Sequence, residues 1–245
     1  MQSPVERATA ALRRGDPVLL FDSDSREGET DLVIASQHAT PAAIRRLRQD
    51  AGGLLCTTVA PEHHRKLGLP FLADLLADAA ARHPVLAEMK AHDLRYDPSK
   101  SSFGITLNSR RTFTGIPDGD RSLTIQELAA FLGDLERVGP ATARERFGAQ
   151  FRTPGHVILL NGADGGLAAR QGHTELSIEL ARQASLVPST TICEMLDATG
   201  KALSQKDARA YAERHGLVFL TGQDVITAWH HNAARASPPS PAVPA

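Results

Sequence analysis

Five carboxylates stand within ten residues near the start of the chain, in the stretch 22–31 (DSDSREGETD). Carboxylates packed this closely repel one another unless a cation or a shared proton compensates their charge, so the stretch is a candidate ligand set for a hard divalent metal. Arg26 in the same stretch could pair with an anionic substrate. A solvated acidic surface loop is the alternative, and the rest of the chain decides between the two.

A second candidate site lies in residues 170–175 (RQGHTE), where a helix is predicted to begin. The free amides and the positive end of a helix dipole favour phosphate, and Arg170 can pair with the same anion. His173 could complete an oxygen-rich metal site, while a histidine with a purely structural role at a helix start is the alternative. The stretch therefore predicts an anion site with a metal ligand beside it.

Two further side chains suit proton transfer. Pro154 and Gly155 predict a turn that presents His156 at the first position of a strand, and histidine titrates near neutral pH. Glu194 lies inside the apolar run 190–196, where desolvation raises the pKa of a carboxyl group unless a cation compensates it. A turn histidine bonded to the backbone and a structural ion pair are the respective alternatives.

Weaker signals come from the middle of the chain. Thr114 and the neighbouring pair Asp120-Arg121 could supply a hydroxyl and a guanidinium to phosphate, although a turn and a surface ion pair explain them equally well. The sequence contains no Walker loop and no GxGxxG pattern after a strand, so the known nucleotide motifs are missing.

The elements that must position these groups follow from hydrophobic periodicity and capping signals. Strands are predicted at 17–21, 32–35, 54–59, 103–108, 112–116, 156–160, 190–196 and 217–221, with the fourth and fifth forming a hairpin. Helices are predicted at 4–14, 41–51, 61–67, 73–96 with an interruption at Pro84, 124–135 behind a capping box, 173–184, 205–215 and around Trp229, while 139–155 is predicted to be a loop. This pattern indicates an α+β fold, a mixed twisted sheet flanked by helices in three layers, in a single domain over residues 1–236. Residues 237–245 are predicted to form a disordered Pro/Ser/Ala tail.

The composition excludes several classes of protein. Of 245 residues, 42% are hydrophobic and 22% charged, and 27 Lys and Arg face 28 Asp and Glu. Because no basic stripe interleaves with aromatic residues, we expect no nucleic-acid partner. Apolar runs are too short for a membrane span and the N-terminus lacks a secretory apolar core, so we expect no membrane contact and a cytoplasmic location. Cys56 and Cys193 lie in apolar runs typical of buried, reduced thiols.

Taken together, six blocks in this order resemble the 3,4-dihydroxy-2-butanone 4-phosphate synthase family. They are 22–31, 52–56 (GGLLC), 114–121, 152–157 (RTPGHV), 170–175 and 192–194 (ICE), and the resemblance runs from about residue 5 to 230. It implies a lyase of riboflavin biosynthesis that converts D-ribulose 5-phosphate to L-3,4-dihydroxy-2-butanone 4-phosphate and formate. It also implies Mg²⁺ as cofactor, with Mn²⁺ as the alternative and two ions per site, and a homodimer whose active sites draw on both chains.

The resemblance also implies roles for individual residues. Glu27 and His173 match the metal ligands of the family, and His156 and Glu194 match its essential catalytic positions. The implied substrate contacts are Arg26, Glu27, Asp31, Thr114, Arg170, Gln171, Gly172, His173, Thr174 and Glu194. We hypothesise that Glu194 and His156 move or position protons while Glu27, through metal, stabilises negative oxygen.

Some features depart from the family pattern. Better-known members carry Arg-Glu-Asn-Glu-Gly-Asp where this chain has Arg-Glu-Gly-Glu-Thr-Asp, and many have glycine at the position of Gln171. Residues 73–102 form a longer segment than in compact members. Many relatives carry a GTP cyclohydrolase domain downstream, whereas this chain has too few residues and cysteines for it and is expected to be monofunctional.

Three alternative functions remain at this point. The first is a magnesium-dependent isomerase or aldolase that acts on another sugar phosphate. The second is a phosphate- or nucleotide-binding module, and the third is a catalytically silent dimerisation protein.

Overall fold

Seven strands form one mixed sheet in the computed structural model, which describes residues 2–89, Asp97 and 100–236. The strands are β1 Val18–Phe21, β2 Thr30–Ala35, β3 Cys56–Val59, β4 Phe103–Ser109, β5 Phe151–Asn161, β6 Thr190–Glu194 and β7 Val218–Thr221. Their order across the sheet is β4-β5-β3-β6-β2-β1-β7. The pairs β1–β7 and β3–β5 are parallel, and the other neighbours are antiparallel.

Helices cover both faces of this sheet. They are α1 Pro4–Arg14, α2 Pro41–Arg46, α3 Pro61–Leu67, α4 Leu72–Ala79, α5 Val85–Glu88, α6 Asp118–Asp134, α7 Pro140–Gln150, α8 His173–Gln183, α9 Gln205–His215 and α10 Gly222–Ala236. A π-helical turn, Leu47–Ala51, continues α2. Thr40 caps α2 as the sequence predicts, because its Oγ1 accepts a hydrogen bond from the Ala43 amide at 3.2 Å.

Alternating burial along the strands divides the core in two. Leu19 and Leu32 pack on one face of the sheet with apolar residues of α2, α6 and α9. Leu20 and Val33 pack on the other face with residues of α1, α8 and α10. Side chains of a strand point alternately to opposite faces, so both faces of β1 and β2 are buried. The predicted three-layer α+β fold in one domain is confirmed.

The predicted hairpin 103–108/112–116 is wrong. Residues 112–116 are not a strand, and β4 pairs with β5 instead. The chain turns after β4 because the Thr112 hydroxyl donates to the Ser109 carbonyl at 2.8 Å, and the Gly115 amide donates to Asp120 at 2.8 Å. Local alternation could not show that another segment, far along the chain, would pair with β4.

Two neighbouring predictions are corrected as well. Residues 139–155 are not a loop but form α7 and the start of β5. Pro140 is the first residue of α7, and proline at that position is typical of a helix start. Helix α6 begins at Asp118 rather than at Thr124. The predicted capping box is absent there, because Thr124 Oγ1 accepts from the Ser109 amide and Glu127 accepts from the Ser109 hydroxyl.

The segment predicted to be helical at 73–96 is shorter and broken. It forms α4 and α5, which flank Pro84, and its last residues, 90–96, lie outside the described residues, as does the predicted tail 237–245. Cys56 and Cys193 are buried and unpaired by disulfide, as predicted. Within the described ranges, no helix combines the length and the apolarity needed to cross a membrane.

Candidate active site

The acidic loop joins β1 to β2 and is organised by Asp22. Asp22 is buried, with 3% of the residue exposed. Its two oxygens accept hydrogen bonds from the Glu27 amide at 3.0 Å and the Glu29 amide at 3.1 Å. Gly28 has φ 68°, a left-handed conformation that favours glycine. These hydrogen bonds between the Asp22 side chain and the loop backbone hold the turn and position the carboxylates that follow.

The first turn of α8 faces this loop. Gly172 caps the helix, and a Cβ atom there would lie only 2.7 Å from Arg26 Nη1, so a larger residue would displace the end of the Arg26 side chain. His173, the first residue of the helix, is 5% exposed. Its Nδ1 lies 3.4 Å from Glu27 Oε2 and its Nε2 lies 3.7 Å from Asp31 Oδ1. One imidazole therefore lies between Glu27 of the acidic loop and Asp31 of β2.

Glu194 reaches the same place from the end of β6. It pairs with Asp31 of β2 in the antiparallel register. Its Oε2 accepts a hydrogen bond from the Leu54 amide at 2.6 Å. A Cβ atom on Gly53 would lie 2.5 Å from that oxygen, so only glycine lets the backbone come this close. The carboxylate of Glu194 is therefore held by backbone rather than by a basic side chain.

These side chains surround a cavity of about 130 Å³. Its lining residues are Glu27, Asp31, Cys56, Ser101, Ser102, Phe103, Leu160, Arg170, His173, Thr174, Ile192 and Glu194. The cavity combines an acidic end, a guanidinium and the N-terminus of α8, so it can take a ligand that carries both hydroxyls and an anion.

Two arginines form the basic side of the site. Arg170 contacts Glu175 Oε2 at 3.2 Å and also donates to Ser102 Oγ. Arg26 and Arg170 share one partner, because Asp97 Oδ2 accepts from Arg26 Nη2 at 2.8 Å and from Arg170 Nε at 2.6 Å. The guanidiniums are thus fixed next to each other in a poorly hydrated place.

The excess of carboxylates shifts proton affinities across the site. Burial raises the pKa of Asp31 to about 8, because the loss of hydration outweighs the attraction of His173. Burial also disfavours the imidazolium of His173, but the charges of Asp31, Glu27 and Asp22 overcome it and raise the pKa of His173 to about 10. Burial disfavours the charged form of Glu27, but the contact with His173 and the charges of Arg26 and Arg170 together lower its pKa. A divalent cation would compensate the same excess of negative charge.

His156 and Thr114 lie apart from this cavity, at a corner of the sheet held by Asn108. We call Asn108, Thr114 and His156 the Asn108 corner. His156 and Thr114 are exposed, and neither lines the cavity. Asn108 Oδ1 accepts from the His156 amide at 2.8 Å, and Asn108 Nδ2 donates to the Thr114 carbonyl at 3.2 Å and lies 3.1 Å from His156 Nδ1. His156 lies within β5 rather than at its first position, which corrects the sequence prediction.

The sheet nevertheless brings His156 and Glu194 to the same end of β3. Cys56 pairs with Ile158 of the parallel β5 on one side and with Ile192 of the antiparallel β6 on the other. Glu194 follows Ile192 by two residues and shares its sheet face, whereas His156 precedes Ile158 by two residues, where the β4–β5 register shifts. Two strand spacings, about 10 Å, separate β5 from β6.

The chain was compared with known proteins. The family model of 3,4-dihydroxy-2-butanone 4-phosphate synthase matches residues 6–228. The synthase of that name from Methanothermobacter thermautotrophicus is 47% identical over 226 residues, which cover 92% of this chain and 95% of the relative. The one from Methanosarcina mazei is 46% identical over 228 residues, which cover 92% of this chain and 90% of the relative. The chain belongs to the 3,4-dihydroxy-2-butanone 4-phosphate synthase family.

Solved structures agree with this assignment. A crystal structure of 3,4-dihydroxy-2-butanone 4-phosphate synthase in complex with two magnesium ions superposes with a TM-score of 0.72 and 28% identity, covering 92% of this chain and 96% of the other. A two-domain synthase from A. baumannii gives a TM-score of 0.71 at 31% identity and covers 91% of this chain and 56% of the other. The chain is therefore an enzyme of riboflavin biosynthesis, as the sequence resemblance implies.

The donor set fits a divalent metal ion. Ligand atoms of Asp22, Glu27 and His173 lie within 4.8 Å of one another. His173 Nε2 and Asp31 Oδ1 are buried and have no hydrogen-bond partner within the described part of the chain. Carboxylate oxygens suit Mg²⁺ and Mn²⁺, and an imidazole nitrogen without a hydrogen-bond partner can bind a metal once it releases its proton. The predicted ligands Glu27 and His173 are thus brought together, and Asp22 joins them.

The structure brings most of the predicted site residues to one place and leaves others apart. Those that meet at the cavity or its rim are Arg26, Glu27, Asp31, Arg170, Gly172, His173, Thr174 and Glu194. Gln171 is exposed, and Thr114 and His156 belong to the Asn108 corner. Sequence reasoning missed Asp97, Ser101 and Ser102. The two serines directly before β4 were the available signal, since small hydroxyl residues at a strand start suit an anion, but Asp97 offered none.

Proposed function

We propose that the enzyme converts D-ribulose 5-phosphate to L-3,4-dihydroxy-2-butanone 4-phosphate and formate, with Mg²⁺ as its cofactor. The observation that carries this proposal is the convergence of Glu27, Asp31, His173 and Glu194 on one small cavity whose other side holds a fixed guanidinium. Such a cavity offers metal ligands, groups for proton transfer and an anion site to one ligand, which a phosphorylated ketose requires.

The charges of the cavity orient the substrate. The phosphate lies toward Arg26, Arg170 and the first amides of α8, because this is the positive side of the site. The hydroxyls then lie toward Glu27, Asp31 and His173. Glu27 and His173, joined by Asp22, would hold two ions per site, with Mn²⁺ as the alternative to Mg²⁺. When bound, these ions would stabilise negative oxygen on the sugar.

Glu194 is positioned to move protons on the substrate. The Leu54 amide holds Oε2 at 2.6 Å, so we assign proton exchange to Oε1. Enolisation of a ketose begins with removal of a proton next to the carbonyl, and a carboxylate in a poorly hydrated cavity is a suitable base. The same group can return that proton when the carbon skeleton has rearranged.

Asn108 orients His156 to donate a hydrogen bond through Nε2. The Asn108 amide cannot be reversed without losing two bonds, since Oδ1 accepts from the His156 amide and Nδ2 donates to the Thr114 carbonyl. Nδ2 is therefore the donor toward His156 Nδ1, which must accept. The neutral imidazole then carries its proton on Nε2. We assign Nε2–H as the hydrogen-bond donor to the hydroxyl that is lost.

The enzyme is proposed to act as a homodimer with shared active sites, in the cytoplasm. Beside Thr114, the apolar residues Phe113 and Ile116 are 93% and 52% exposed. Apolar side chains this exposed are costly in water and are typical of a protein interface. The Asn108 corner would then enter the cavity of the second chain.

Mixing two inactive variants tests this sharing. If sites are shared, a mixture of Glu194→Gln and His156→Asn chains regains about a quarter of wild-type activity, since half of randomly paired dimers are mixed and each has one intact site. If each chain supplies both groups to its own cavity, the mixture stays inactive. Sedimentation of the wild-type enzyme as a monomer would also contradict the proposal.

The activity itself is tested with purified enzyme, Mg²⁺ and D-ribulose 5-phosphate. We expect stoichiometric release of formate, lost on chelation and restored by Mg²⁺ or Mn²⁺. Absence of formate from a folded, metal-loaded sample would overturn the proposal. Turnover of another sugar phosphate without formate would favour an isomerase or aldolase instead.

A further inference from the structure

Asp97 brings a carboxylate to the two arginines on the basic side of the cavity. Its Oδ2 accepts hydrogen bonds from Arg26 Nη2 at 2.8 Å and from Arg170 Nε at 2.6 Å. The Asp97 side chain is 5% exposed, and those of Arg26 and Arg170 are 13% and 10% exposed. Such charges attract one another more strongly than surface ions do, because little water screens them.

Other carboxylates already surround the same arginines. Glu175 Oε2 lies 3.2 Å from Arg170, and Glu27 Oε1 lies 3.9 Å from Arg26. Glu175 belongs to the first turn of α8 and accepts the Ala163 amide at 2.9 Å, so both helix and backbone fix it. A phosphate that approaches these guanidiniums therefore competes with carboxylates that are already bonded to them.

Asp97 differs from Glu175 and Glu27 in its position relative to the two arginines. One oxygen of Asp97 lies between both guanidiniums, which is where an oxygen of a phosphate bound by both would lie. Of the two arginines, Arg170 pairs with Glu175 and Arg26 pairs with Glu27 in the ion pairs of the described ranges. Asp97 thus competes most directly with a ligand oxygen.

We infer that Asp97 is a specificity-determining residue, an internal anion that occupies the place of a phosphate oxygen between Arg26 and Arg170. It excludes small anions such as inorganic phosphate, which bring charge alone. A sugar phosphate also offers hydroxyls to the acidic end of the cavity, and the sum of its contacts outweighs the Asp97 contact. The inference rests on the proposed function, because it takes the two arginines as the phosphate site.

The variant Asp97→Asn tests this role, since it keeps the size of the side chain and removes its charge. Inorganic phosphate is titrated as a competitive inhibitor of formate release and, by calorimetry, into the magnesium-loaded enzyme. We expect phosphate to bind the Asp97→Asn enzyme about 10-fold more tightly than the wild type, because the variant lacks the carboxylate that competes with phosphate for Arg26 and Arg170. Damage to the site would weaken binding, so the direction of the change is diagnostic.

Two matched variants serve as controls. Asp97→Glu keeps the charge and should not tighten phosphate binding. Asp74→Asn removes a carboxylate that is half-exposed on α4 and pairs with Lys100 at 2.6 Å, so it should leave phosphate inhibition unchanged. An equal effect of Asp74→Asn would show that total charge, and not Asp97, controls anion binding, and would overturn the inference.

The outcomes separate the inference from the function on which it rests. Unchanged or weaker phosphate binding by Asp97→Asn, in an enzyme whose wild type releases formate, overturns the inference alone. If Asp97→Asn does not fold, Asp97→Ser is measured in the same way, and failure of both to fold overturns the inference because the charge is then structural. Absence of formate from the wild type overturns the proposed function.

Discussion

The cavity and the Asn108 corner hold side chains with proposed roles in the same reaction, yet they are built in opposite ways. The cavity gathers buried charges, such as Asp31 and His173, against one another. The corner presents exposed polar groups that a single amide aligns. Burial of the cavity carboxylates and His173 excludes water, which shifts their pKa values and strengthens their attraction for a metal ion. His156, by contrast, must lie at the surface if it is to reach the cavity of another chain.

The two constructions carry different costs. Like charges in the cavity destabilise the fold until a cation binds, and a side chain at Gly53 would collide with Glu194. The corner costs little, because exposed hydrogen bonds hold it rather than buried charges. Changes in the cavity should therefore alter metal binding and stability together with turnover, while changes at the corner should alter turnover alone.

The largest effect is expected for Glu194→Gln. Loss of the group assigned to proton exchange should lower kcat by about 1,000-fold while KM changes little. Formate release under saturating Mg²⁺ measures this. Glu213→Gln, on the exposed side of α9, is the control and should retain wild-type turnover. A Glu194→Gln enzyme within 10-fold of wild type would assign the proton transfers elsewhere.

The next effect separates metal binding in the cavity from the corner. Glu27→Gln should raise the Mg²⁺ concentration needed for half-maximal activity by about 10- to 100-fold, since it removes a charged ligand next to His173. Calorimetric titration of Mg²⁺ measures the same change directly. His156→Asn should leave the Mg²⁺ affinity unchanged, although it lowers turnover. Equal Mg²⁺ affinities of Glu27→Gln and wild type would contradict the ligand assignment.

A smaller effect concerns the alignment of His156. Asn108→Asp keeps the acceptor for the His156 amide but replaces the donor to Nδ1 by a carboxylate oxygen, which favours a proton on Nδ1. We expect kcat to fall by about 10-fold, because the proton is then on the wrong nitrogen. The same substitution in a His156→Asn background should cost nothing further. Full additivity of the two variants would show that Asn108 acts independently of His156.

The smallest effect is on the pH dependence of stability in metal-free enzyme. The pKa of Asp31 is about 8 in the fold, far above its ordinary value of 3.8. The folded state therefore binds more protons than the unfolded state between these values, and stability falls as pH rises from about 4 to 8. His173, with a pKa of about 10 against 6.5, adds a loss of the same sign from about 6.5 to 10.

Each proton released lowers the free energy of unfolding by at most about 1.4 kcal/mol per pH unit. Urea unfolding at several pH values measures it. Asp31→Asn should flatten the slope below pH 8, and saturating Mg²⁺ should stabilise the wild type most at high pH. Thr114→Ala, which removes a neutral hydroxyl from the corner, should leave the slope as it is. If the free energy of unfolding of the wild type did not change with pH in this range, the charges of Asp31 and His173 would not affect the stability of the fold.

Several features of the enzyme could be predicted from the sequence. Alternating apolar residues and capping signals gave the central strands and the three-layer α+β fold, because these depend on local periodicity. The stretches 22–31 and 170–175 indicated a metal and anion site, because carboxylates and a helix start have intrinsic charge whatever their partners. The spacing of the six blocks gave the family, which the comparisons confirm.

Other predictions failed where a distant segment supplied the partner. Residues 112–116 alternate like a strand, but β4 pairs with β5 instead of with them. Thr124 accepts a hydrogen bond from the Ser109 amide at the end of β4 instead of capping a helix. Local pattern carries no information on such competition between segments.

Tertiary structure alone decided how the site is assembled. It placed His156 and Glu194 at one end of β3 from strands that run in opposite directions, and it set Asp97 between Arg26 and Arg170. It also buried Asp31 against His173, which moves the pKa of both. The sequence determined which charges are present, and the fold determined which of them lose water and meet, because hydration and distance are properties of the packed chain.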